Sequence, residues 1–244
     1  IVRCFMGIFM PARSALARWK APLEKHAFAS LMAANFCFFM GFATFFLLPK
    51  YLITVLGARE GQVGAIMAGY GLVMVACLPA IGVGSDRYGR RPFLILGAVL
   101  LGATALAFVT VQELGPWPYL LRGLQGLAFA CWFVNSSTLA VDVVDPAHRG
   151  SALGLFGVST LITYGLAPAL AEWIAHDRGF ALVFLLALAW SGLALLLSLV
   201  LPTPAPHPTR LKTGVSRSWR QLASEPIIGA ICIGALLMGL AFGT

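Results

Sequence analysis

The sequence predicts an all-α protein that crosses a lipid bilayer several times. Three observations carry that prediction. Mean hydropathy is +0.88. Of the 244 residues, 59% are hydrophobic and 11% are charged, whereas a soluble domain has about 45–50% apolar and about 25% charged residues. Finally, the apolar residues gather into seven runs of near-span length, at 28–48, 62–82, 93–112, 118–141, 151–174, 180–201 and 227–244. A span takes about 20 apolar residues at about 1.5 Å per residue. Transmembrane strands are shorter, about ten residues, and alternate in polarity. These runs do not alternate, so helices are the remaining way to satisfy the backbone in lipid. The same composition excludes an ordinary soluble fold, and also disorder, which requires low hydrophobicity.

Residues 1–27 are a basic N-terminal segment. Its opening, IVRCFMGIFM, is apolar but too short to span, and it lacks the small-residue cleavage site of a secretory signal. It reads as a surface-lying stretch or an upstream remnant. Six spans over 28–201 follow. Residues 202–226 are the longest connection and read as a linker between two bundles. They begin with PTPAPHP, a stiff extended run, and continue as RLKTGVSRSWRQLASEP. The second part fits a basic amphipathic helix on the membrane surface, with Trp219 at the interface. Residues 227–244 begin a seventh helix that stops at Thr244, and the chain starts at Ile1 rather than Met. The sequence therefore reads as a piece of a longer protein.

The net charge of +8 has a topological explanation. Thirteen Lys and Arg flank the spans on the side of residues 1–27, 83–92, 143–150 and 202–226, against Lys50, Arg59 and Arg178 on the other side. Basic residues concentrate in cytoplasmic loops, which places the N-terminus in the cytoplasm. No basic stretch is interleaved with aromatics on a soluble domain, so nucleic acid is not an expected partner. Cys4, Cys37, Cys77, Cys131 and Cys232 have no metal-ligand or disulfide spacing, and no metal or other cofactor is expected. His26, His148, His176 and His207 fall in loops or at helix ends, and no H-E-x-x-H or intramembrane aspartate pair supports an enzyme. A seven-helix receptor fits the count of runs, but not a cytoplasmic N-terminus or the motifs below.

The connection between the second and third spans packs an acid, three arginines and three glycines into Gly82-Val-Gly-Ser-Asp86-Arg87-Tyr-Gly89-Arg90-Arg91. Such a cluster reads as a basic topology anchor or as an ionic latch between moving helices. The fourth span opens Tyr119-Leu-Leu-Arg122-Gly-Leu-Gln125-Gly126 and closes Val141-Asp142-Val-Val-Asp145-Pro146-Ala-His148-Arg149-Gly150. Arg122 is the one basic residue inside a span; it either snorkels to the interface or faces a cavity. Asp142 is a solvated helix end or a latch partner.

On these three motifs the chain resembles the major facilitator superfamily. Its loop signature after helix 2, G-x-x-x-D-R-x-G-R-[RK], is matched by Gly82, Asp86, Arg87, Gly89, Arg90 and Arg91, and its R-x-x-Q-G motif by Arg122, Gln125 and Gly126. The resemblance covers residues 28–244. It implies two six-helix bundles, each of two inverted three-helix repeats. This chain would hold the N-terminal bundle, 28–201, and the truncated start of helix 7, with the C-terminal half as its missing partner. It also implies a multi-pass protein of the bacterial inner membrane, working by alternating access on a small-molecule substrate. Asp86, Arg90 and Asp142 would form a charge relay that closes the cytoplasmic side. Proton-coupled efflux of small organic compounds is the first expectation, and uptake of a metabolite or organic anion the alternative.

Two features modify that expectation. The antiporter pattern G-x-x-x-G-P-x-x-G-G in helix 5 is here Thr163-Tyr-Gly-Leu-Ala167-Pro168-Ala-Leu-Ala171-Glu172. The kinking proline is kept, and Glu172 stands at the last glycine. No carboxylate lies deep in spans 1 to 6, so a proton-carrying acid is expected in the other half. The family's substrate path follows helices 1 and 4, making Asn35, Arg122, Asn135 and Tyr164 the cavity candidates. For Asn35 and Asn135, hydrogen bonding between helices at about 0.6–2 kcal/mol per pair is an equal alternative. The Ser and Thr of spans 4 and 5 are expected to bond back to their own helices.

Overall fold

The structure, a computed structural model, describes residues 22–201. The N-terminal segment before Pro22, the 202–226 connection and the seventh apolar run, 227–244, lie outside the described residues. Every element is helical: α1 (Pro22–Ala43), α2 (Leu48–Thr54), α3 (Glu60–Tyr88), α4 (Arg91–Thr110), α5 (Trp117–Asp142), α6 (Arg149–Arg178) and α7 (Phe180–Val200), with 3-10 turns at Thr44–Leu47 and Pro146–His148. The first 3-10 turn joins α1 to α2. Together they make a span from His26 to Thr54, and α3 to α7 make spans 2 to 6. Six helices among the described residues are long and apolar enough to cross a membrane.

Three spans outrun their apolar runs. Span 1 was expected to end at 48, but Pro49 occupies the first turn of α2, where its missing N–H costs nothing, and the helix continues to Thr54. Span 2 was expected over 62–82, but its helix runs from Glu60 to Tyr88, so Gly82, Asp86 and Arg87 of the expected connection lie in its last turns. Span 5 was expected over 151–174, but its helix carries on through His176 and Asp177 to Arg178. Polar residues at a membrane face remain helical when a stop signal is absent. The stop comes at Gly179, whose φ of 83° is open to glycine at little cost. Gly89 ends span 2 with nearly the same geometry, φ 85° and ψ 165° against 83° and 170°. At its start, span 2 is capped by Gln62, whose Oε1 accepts from the Arg59 N–H at 2.9 Å.

The packing obeys one exchange. Span 2 packs on span 4 as span 5 packs on span 1; span 3 packs on span 4 as span 6 packs on span 1; spans 3 and 6 pack on each other. Swapping spans 1, 2, 3 for 4, 5, 6 leaves this pattern unchanged. Because three spans separate the partners, the exchanged helices run in opposite directions. This is an inverted repeat of two triplets. Spans 2 and 5 also carry their interior prolines, Pro79 and Pro168, at almost the same distance from Gly89 and Gly179.

Small residues set the helix separations. A Cβ on Gly126 of span 4 would lie 2.3 Å from the Tyr70 carbonyl oxygen of span 2. A Cβ on Gly97 would lie 2.9 Å from the Ala128 oxygen, and one on Gly41 3.0 Å from the Ala187 oxygen. Such approaches allow the backbone contact that holds helices together where lipid offers no hydrophobic gain. The buried space is filled by aromatics: Phe38 stacks on Trp132 with centroids 4.3 Å apart, and Phe45, Phe108 and Phe184 form a second group. Most span hydroxyls bond back to their own helix, as in Thr44 to the Met40 carbonyl, Thr138 to Val134 and Ser191 to Leu188.

Candidate functional site

One membrane face carries the turns at 89–90 and 143–148. There the Arg90 Nη2 donates to Asp142 Oδ2 at 2.9 Å, with the two side chains 23% and 30% exposed. Arg90 caps span 3 and Asp142 ends span 4, so the pair ties the 2–3 turn to span 4. Asp145 Oδ1 accepts from the Ala147 N–H at 2.9 Å and shapes the following turn. Asp86 and Arg87 are exposed at the end of span 2. Asp86 makes no ion pair among the described residues, so of the expected relay only the Arg90–Asp142 arm is formed within them. The Arg87 guanidinium lies 5.3 Å from the centroid of the Tyr88 ring. Arg91 opens span 3, and Gly82 faces open space.

Inside the bundle, Arg122 is 2% exposed. It does not snorkel out. Its Nη1 donates to Gln125 Oε1 at 2.7 Å, one turn along span 4. Its guanidinium sits 4.9 Å from the Tyr70 ring centroid and 6.0 Å from that of Phe42. A cation against aromatic faces is partly compensated for lost water. Yet Arg122 Nε and Gln125 Nε2 have no hydrogen-bond partner among the described residues, and Arg122 has no ion pair there.

Asn35 is also buried, but its amide is occupied. Its Nδ2 donates to Thr160 Oγ1 at 2.9 Å and to Ser159 Oγ at 3.4 Å, and its Oδ1 accepts from Trp132 Nε1 at 3.2 Å. It cross-links spans 1, 4 and 5. Asn135 donates to the Cys131 carbonyl at 2.8 Å, and its Oδ1 has no hydrogen-bond partner among the described residues. Tyr164 is half-buried, with its ring 5.2 Å from Phe46 and 6.0 Å from Phe39.

These rings belong to a larger array. Phe46 meets Phe42, Phe42 meets Tyr70 and Phe129, and Phe129 meets Phe133, all at centroid separations of 4.9–6.2 Å. Spans 1, 2, 4 and 5 thus share a connected group of aromatic rings, partly open at Phe46 and Phe133, with Arg122 against its Phe42 and Tyr70 rings. Tyr70, Phe129 and Phe133 were not read from the sequence as site residues. Nothing local distinguishes them from other aromatics in apolar runs; only the packing of four helices brings them together. No hydrogen bond among the described residues joins Asn35 or Asn135 to Arg122.

A bundle of two inverted triplets, clasped by charge at one face and carrying a buried arginine, is the half-molecule architecture of multi-pass membrane transport proteins. The Major Facilitator Superfamily model matches residues 31–244, and the chain belongs to that family. It is 30% identical over 200 residues to the inner membrane transport protein YajR of Escherichia coli (strain K12), covering 78% of this chain and 43% of that protein. It is 33% identical over 153 residues to the proline/betaine transporter of Salmonella typhimurium, covering 60% of this chain and 30% of that protein. It is 32% identical over 142 residues to the multidrug resistance protein MdtL of Escherichia coli O9:H4, covering 58% and 36%. The chain therefore spans less than half the length of these relatives. The crystal structure of the peptide transporter POT in complex with alafosfalin has the same fold, with a TM-score of 0.66 at 21% identity over 86% of this chain and 46% of that one. The chain is a multi-pass integral membrane protein.

Proposed function

We propose that the complete protein is a secondary active transporter that works by alternating access and exports small organic compounds in exchange for protons. Residues 28–201 are the first of its two bundles, 202–226 the cytoplasmic linker, and 227–244 the start of the second bundle. The observation that carries this reading is the group of aromatic rings. Rings from four spans, most of them inclined to one another, make an apolar aromatic cluster suited to hydrophobic organic molecules, which bind through buried area with few fixed polar contacts. The name of MdtL, a multidrug resistance protein, agrees with export. Arg90–Asp142 closes the cytoplasmic face in the outward-open state. No carboxylate is buried among the described residues, so the acid that exchanges protons belongs to the second bundle.

A second reading, uptake of an organic anion, is favoured by Arg122. A buried charge without a counter-ion is costly, and an anionic substrate would neutralise it.

The test is flux into proteoliposomes holding the complete protein and a pH-sensitive dye, with a panel of lipophilic drugs, neutral metabolites and aromatic carboxylates. Proton movement driven by lipophilic compounds supports export. Movement driven only by carboxylates, and lost in Arg122→Gln, supports uptake. Substrate flux with no dye response rejects proton coupling.

A further inference from the structure

The exchange of triplets extends to the ion pairs. Arg90–Asp142 joins the turn between spans 2 and 3, just past the end of span 2, to the end of span 4 at one face. The exchange turns that helix pair into spans 5 and 1 at the opposite face, and there Lys50 of span 1 bonds Glu172 of span 5. Lys50 lies about one turn before Thr54, and Glu172 less than two turns before Arg178, so the two meet at similar depth. The pair is not a copy of the loop motif. Matching Gly89 to Gly179 sets Glu172 opposite Gly82, and the signs are reversed, with the acid on the span equivalent to span 2. Its acid stands where an antiporter-type helix 5 has glycine. At the same face a hydrogen bond from the Tyr51 hydroxyl to the Val111 carbonyl ties span 1 to span 3.

We propose that Lys50–Glu172 is a second clasp, and that breaking it shifts the two access states in the direction opposite to breaking Arg90–Asp142. The inference rests on the alternating-access reading above. In an inverted repeat, exchanging the triplets also exchanges the two membrane faces. A strut that favours closure at one face therefore has a mate that favours closure at the other. The Lys50 and Glu172 side chains are each 48% exposed. An exposed pair of this kind sets a ratio of states by a factor of about 1.5 to 5, enough to tune a balanced equilibrium without locking it.

The experiment is hydrogen–deuterium exchange on the full-length protein in lipid nanodiscs. Glu172→Gln and Lys50→Gln are expected to speed exchange at turns 55–59 and 111–116 and to slow it at 143–148. Asp142→Asn is expected to do the reverse. The swapped pair Lys50→Glu with Glu172→Lys is expected to restore wild-type exchange at both faces. A shift by Glu172→Gln or Lys50→Gln in the same direction as Asp142→Asn overturns the clasp. So does no shift in either while Asp142→Asn moves both faces. If Asp142→Asn also leaves both faces unchanged, the two-state equilibrium is absent, and the transport reading falls together with the clasp.

Discussion

At the scale of single residues, the tightest constraint in the bundle is Gly126. A methyl group there meets the Tyr70 carbonyl oxygen at 2.3 Å, a backbone atom that cannot rotate away, so spans 2 and 4 must separate. Overpacking of this kind costs about 1–3 kcal/mol. Gly126→Ala is therefore expected to lower the Tm of the detergent-solubilised protein by several degrees, while Gly115→Ala, which meets nothing within 4 Å, leaves it unchanged. Equal melting of the two variants would contradict the close approach. Asn35 makes a related case. Asn35→Leu strands the Trp132 N–H and removes the donor to Thr160, at about 1–2 kcal/mol. Its effect is expected on thermal stability, with substrate affinity unchanged in binding assays on the protein that folds. The sequence shows an asparagine in span 1 but not its partners, which lie 97 and 125 residues away. Cavity and cross-link readings were both open for that reason, and only tertiary packing separates them.

At the scale of elements, the spans were legible and their ends were not. Long apolar runs admit one solution in lipid, so all six appear where expected. The ends depend on local stop signals. Gly89 was visible as part of a loop motif, whereas Gly179 follows Asp177-Arg178, a sequence that only faintly repeats Asp86-Arg87-Tyr88-Gly89. The backbone makes the two equivalent, and the energetics should follow. An alanine at φ near 85° with ψ near 165–170° pays about 1–3 kcal/mol, because that backbone region is essentially restricted to glycine. Gly89→Ala and Gly179→Ala are expected to destabilise by similar amounts in reversible denaturation. A much larger loss for Gly89→Ala would show that its turn does more than end a helix. Pro79, the mate of Pro168, was not singled out because span 2 has no pattern calling attention to it; the exchange of triplets gives it meaning.

At the scale of the whole molecule, the orientation in the membrane is the property that sequence charge and structural pairing address together. Thirteen basic residues flank one set of span ends and three the other. Arg90–Asp142 and Lys50–Glu172 then join helix ends that simple alternation of six spans places on the same face in each case. The two lines of argument are independent, since one uses a bias in translocation and the other the geometry of packing. They make a joint prediction. Reporter fusions truncated after residues 57, 115 and 179 should place the reporter outside the cytoplasm, and those truncated after 89 and 147 should place it inside. A cytoplasmic reporter at 115 would break the alternation itself and with it the inverted repeat. A complete reversal of all five would keep the fold and both ion pairs but invert their roles: Lys50–Glu172 would become the cytoplasmic clasp, and the charge bias of this chain would have failed to set its topology.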